Sequence, residues 1–140
     1  MNHLVEVVRG AGVIQLVIVA VNFSLPAKLH VREQLGTAPR FIRQIFYAHW
    51  AYIVLVLGLF SALCLGFPAE LAGASRLGRF LSAFLATFWL SRLAVQWTYY
   101  DRDMRRANRT LDSLYLAALV ILSIVFALAA RLGGSHGLRW

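Results

Sequence analysis

The chain has 140 residues and a mass of 15.7 kDa, yet 60% of it is hydrophobic and only 14% charged, against roughly 25% charge in a soluble globular protein. A sphere of this size has too little polar surface to cover that apolar content, whereas lipid solvates it directly. A water-soluble fold, disorder, a coiled coil and a disulfide-stapled secreted scaffold are excluded together.

The net charge of +8 and pI near 10.8 point to headgroups rather than nucleic acid. The basic residues sit between long apolar runs, where lysine and arginine set membrane orientation. Thirteen of the fourteen are arginine, with Lys28 the single lysine, and anionic lipid is their natural counter-charge. The same bias is what a GC-rich bacterial genome produces, so a bacterial inner membrane is the expected location. Cys64 is the only cysteine, which rules out an internal disulfide.

A hydrocarbon core about 30 Å thick needs roughly 20 apolar residues as helix, and four stretches qualify. The first covers residues 7–25 and stops at Pro26, since proline cannot continue the hydrogen-bond ladder. It is read as a retained helix rather than a signal peptide: Glu6 offsets Arg9, and no small-x-small site follows. Gln15 and Asn22, seven apart, share one of its faces. The second covers residues 45–67 and stops at Pro68. It carries His49 and Tyr52, and a track of Gly58, Ala62 and Gly66 at i, i+4 and i+8. Small residues let membrane helices approach closely, so this track is expected to pack inside the bundle, the alternative being a dimer interface. The third stretch, residues 77–99, repeats the spacing with Ala83, Thr87 and Ser91, and places Arg92 and Gln96 four apart. The fourth, residues 110–132, opens with Asp112 and Tyr115, three apart, and leads into a tail at 133–140.

The expected fold is all-α: a polytopic transmembrane four-helix bundle, up-down-up-down, forming a single integral membrane domain over residues 1–140. The first and third loops hold eight basic residues and the opposite side five. That excess marks the loop side as cytoplasmic and both termini as non-cytoplasmic. Aromatic residues crowd the cytoplasmic boundary (Phe46, Tyr47, Trp50, Tyr52, Trp97, Tyr99, Tyr100) and read as an interfacial belt.

Polar residues inside the spans carry what functional information there is. Projected at 1.5 Å per residue from the cytoplasmic loops, Asn22, His49, Arg92, Gln96 and Asp112 all fall roughly 4 to 12 Å deep. Ionisable groups at that depth usually face the bundle interior, pair with one another and mark a functional site. The sequence therefore predicts one polar pocket in the cytoplasmic half, formed by His49, Arg92, Gln96, Asp112, Asn22, Tyr52 and Tyr115. Arg92 paired with Asp112 would also clasp the third and fourth helices structurally, and Asn22 and Gln15 would serve as interhelical hydrogen-bond glue. Arg102, Arg105, Arg106 and Arg109 fall at i, i+3, i+4 and i+7, a strip suited to anionic lipid.

The functional expectation is a small integral membrane protein that acts as a binding or accessory subunit. Its pocket would hold a lipid-phase molecule, quinone or isoprenoid-like, and its partners would be membrane lipids, other membrane subunits or a second copy. One alternative is a membrane enzyme, either redox-active with haem at His49 (alone, with His30, or across a dimer) or acting on an anionic lipid. Another is an oligomeric transporter or channel protomer. No HExxH, CxxC or carboxylate cluster suggests a metal site apart from that haem option.

Overall fold

A computed structural model describes residues 2–28, 30–73, 75–98 and 109–133, and the regular structure among them is helical throughout. In chain order the helices are α1 (Asn2–Lys28), α2 (Val31–Gln34), α3 (Arg40–Gly66), α4 (Pro68–Ala72), α5 (Arg76–Thr98) and α6 (Arg109–Leu132). Three segments among the described residues are long and apolar enough to cross a membrane: His3–Lys28 in α1, Arg40–Gly66 in α3 and Asp112–Leu132 in α6. They are what an integral membrane protein requires. Helix α5 matches them in length, but Arg79, Arg92, Gln96, Ser82 and Ser91 keep its apolar character below theirs.

Proline marks two helix ends in different ways. At Pro68 the chain breaks as expected: α3 closes at Gly66, and Pro68 takes the first position of α4, where its missing N–H costs nothing. At Pro26 the helix does not stop but runs on to Lys28. Only one bond is lost there, the one Pro26 would have given to the Asn22 carbonyl, and the last turn forms without it.

The long helices form two antiparallel pairs. In the first, Ser61 Oγ donates to the Gly12 carbonyl at 2.8 Å and Trp50 Nε1 to the Asn22 carbonyl at 2.9 Å, setting α3 against α1. In the second, residues 92 and 96 of α5 face 115 and 112 of α6. Helix α1 also packs on α6, and Phe60 of α3 meets Phe84 and Phe88 of α5 edge-on at centroid distances of 6.0 and 5.0 Å. The short α4 closes the end opposite the α1–α3 connection. Its Leu71 and Ala72 are buried, and the Leu71 carbonyl accepts from Ser82 Oγ at 2.9 Å.

The core lies in that same half. Val8, Ala11 and Gln15 of α1, Leu57, Ser61 and Cys64 of α3, Leu85 and Trp89 of α5, and Leu122, Phe126 and Ala129 of α6 are all buried. Lipid is as apolar as these side chains, so close packing holds them rather than exclusion from water. Gly12 marks a close approach of α1 to α3: a Cβ there would meet Cys64 Cβ at 2.9 Å and the Leu65 side chain at 3.0 Å. At α4, Gly78 lies directly beneath the Glu70 carbonyl and Gly133 beneath that of Gly73, leaving room for no side chain.

The packing role inside the bundle expected of Gly58, Ala62 and Gly66 is corrected by this geometry. A Cβ at Gly58 or Gly66 meets nothing within 4 Å, and Ala62 is exposed. Ala83, Thr87 and Ser91 are exposed as well. Both tracks point away from the neighbouring helices because the inward faces are taken by Leu57–Ser61–Cys64 on α3 and Ser82–Leu85–Trp89 on α5.

Candidate functional site

Two turns of α5 and the first two turns of α6 build a polar ladder. Arg92 and Gln96 are one turn apart on α5, Asp112 and Tyr115 one turn apart on α6, and each pair therefore projects from a single face. Arg92 Nη2 donates to Tyr115 Oη at 3.0 Å, and Gln96 Nε2 donates to Asp112 Oδ1 at 2.8 Å. All four side chains are half-buried.

The clasp between these helices is thus made with other partners than the Arg92–Asp112 pair read from the sequence. Antiparallel helices set position 92 level with 115 and 96 level with 112, so the guanidinium reaches a phenol and the carboxylate an amide. Asp112 stands in the first turn of α6, where the helix dipole favours a negative charge. The ion pairs among the described residues are Arg9–Glu6 at 2.8 Å and the His30–Glu33 contact at 3.7 Å. Arg92 therefore has a neutral partner and no carboxylate among the described residues.

The remaining pocket residues do not join this ladder. Asn22 Nδ2 donates to the Ile18 carbonyl of its own helix at 2.8 Å, so among the described residues its side chain bridges to no other helix. His49 is exposed, with Nδ1 3.1 Å from the Ile45 carbonyl one turn back, and Tyr52 is 68% exposed. At about 100° per residue, His49 falls roughly 90° and Tyr52 roughly 150° from the face of α3 that carries Leu57, Ser61 and Cys64. His30 sits at the turn before α2, in a left-handed conformation with φ 49°. No group of three or more His, Cys, Asp or Glu able to hold a metal occurs among the described residues. Of the arginine strip, Arg109 begins α6 and is exposed, while Arg102, Arg105 and Arg106 lie outside the described residues.

Two further contacts join α1 to α3; the one through Trp50 was hidden in the sequence, while the one through Gln15 is the interhelical role expected of that residue. Trp50, read as part of the aromatic belt, stacks on Phe23 at 5.9 Å and donates to the Asn22 carbonyl. The available signal was Pro26: a proline four residues on leaves that carbonyl without its helical donor, and an unpaired carbonyl in lipid needs another. Gln15, fully buried, donates Nε2 to Cys64 Sγ at 3.7 Å, a weak contact to a soft acceptor.

On the outer flank of the α5–α6 seam, level with the ladder, a shallow groove of about 430 Å³ opens sideways. Leu90, Leu93, Ala94, Trp97 and Thr98 line it from α5, and Leu116 and Val120 from α6. Compared with protein-family models, with curated proteins and with solved structures, this chain matches none.

Proposed function

We propose that the chain is a four-span integral membrane protein in which α5 lies in the bilayer with α1, α3 and α6, running up-down-up-down with both termini non-cytoplasmic. It acts as a binding or accessory subunit, and the α5–α6 ladder holds the polar end of a lipid-phase molecule such as a quinone or an isoprenoid.

One observation carries this reading: Arg92 is half-buried, hydrogen-bonded to the neutral Tyr115, and has no carboxylate partner among the described residues. A charged group placed inside a span at this cost is normally paired or functional. Its remaining N–H groups suit a carbonyl or anionic oxygen. Tyr115 orients the guanidinium, and the Gln96–Asp112 rung fixes the spacing of the two helices.

Gentle detergent extraction followed by mass spectrometry of the retained small molecules tests the proposal. The wild-type protein is expected to retain a lipid-soluble compound that Arg92→Leu loses and that Tyr115→Phe holds less well. Equal retention in all three, or loss of thermal stability in the variants with no bound compound in any sample, would reduce the ladder to a structural clasp.

A further inference from the structure

We propose that the groove on the outer flank of α5–α6 seats one acyl chain of an anionic phospholipid of the surrounding membrane, with the lipid phosphate held by Arg109. The proposal rests on the reading that α5 lies in the bilayer, and it assigns the strip's one described arginine a partner distinct from the ladder's ligand.

The lining selects a hydrocarbon chain. Leu90, Leu93, Ala94, Leu116 and Val120 are aliphatic, and the Thr98 hydroxyl is already donated to the Ala94 carbonyl at 2.8 Å. From Leu90 to Thr98 the groove runs about 12 Å along α5 at 1.5 Å per residue, a length suited to the upper part of an acyl chain. Trp97, 71% exposed, stands at its outer end, where an amphipathic ring favours the headgroup boundary.

Charge complementarity names the headgroup. Arg109, Leu116 and Val120 fall at i, i+7 and i+11 and so share one face of α6. The arginine stands about 10 Å beyond Leu116 on the loop side of the groove. It is exposed and makes no ion pair among the described residues. A guanidinium in that position meets a phosphate with two parallel N–H donors. A zwitterionic lipid offers the same chain to the groove but no net charge to Arg109.

The test uses the full chain in nanodiscs of phosphatidylcholine containing a fixed fraction of either brominated phosphatidylglycerol or brominated phosphatidylcholine. Quenching of Trp97 is read as the difference between wild type and Trp97→Phe. The anionic brominated lipid is expected to be preferred about fivefold, the effect of one basic residue at an anionic surface, and Arg109→Gln to abolish that preference. Equal quenching by the two lipids with Trp97 shielded from aqueous acrylamide, or a preference surviving in Arg109→Gln, would overturn the lipid seat alone. Quenching of Trp97 by acrylamide and by neither lipid would place α5 outside the bilayer and overturn the four-span reading as well.

Discussion

Removing the Trp50 indole N–H isolates the consequence of Pro26. Trp50→Phe keeps an aromatic ring against Phe23 but leaves the Asn22 carbonyl with neither its helical donor, which Pro26 lacks, nor the indole that replaces it. A buried acceptor left unpaired costs about 1–3 kcal/mol, while interhelical hydrogen bonds in membranes average about 0.6 and reach about 1.7 kcal/mol. Asn22 is half-buried, so the expected destabilisation is about 1 kcal/mol. Pro26→Ala restores the amide and returns the carbonyl to the helix ladder. In that background Trp50→Phe should cost only the smaller ring, a few tenths of a kcal/mol. Unfolding in mixed micelles of rising SDS fraction, followed by far-ultraviolet circular dichroism, gives the four stabilities of the cycle. A coupling within the roughly 0.3–0.5 kcal/mol scatter of independent sites would mean that Pro26 and Trp50 do not share the Asn22 carbonyl, and the account would fall.

The same assay separates the packing face of α3 from its outer face. Gly12→Ala drives a methyl into Cys64 and Leu65 and is expected to cost about 1–3 kcal/mol, whereas Gly58→Ala meets open space and should be neutral or stabilising by up to about 1 kcal/mol. Comparable losses at both positions would contradict the assigned faces. Cys64, fully buried against Gln15, should resist a membrane-permeant maleimide in the folded protein and react only at the rate at which the chain opens. Prompt labelling under native conditions would show that α1 and α3 do not close over it.

How much was legible differs element by element. The apolar runs of α1, α3 and α6 identify themselves, because membrane insertion depends on composition summed over about 20 residues. The pairing of Arg92 with Gln96 and of Asp112 with Tyr115 on single faces also followed from helical period alone. Which rung met which did not, since that depends on the level at which two antiparallel helices dock. His49 was legible as a polar residue at membrane depth but not as an exposed one, because nothing within α3 says which side α1 covers. The small-residue track misled for the same reason: Gly58, Ala62 and Gly66 have the right spacing, yet Gly12, with no such track around it, makes the close contact.

Local composition and periodicity by themselves determined that this protein is helical and that four of its stretches read as spans, three of which, in α1, α3 and α6, are long and apolar enough to cross a membrane. Those properties belong to each segment independently of the others. Only the tertiary structure decided which faces turn inward, that Arg92 meets a phenol instead of a carboxylate, that α4 closes the far end, and that Trp50 supplies the donor Pro26 withholds. In lipid no solvent contrast singles out an inward face, so steric fit between distant segments makes the choice, and that fit does not exist until the helices meet.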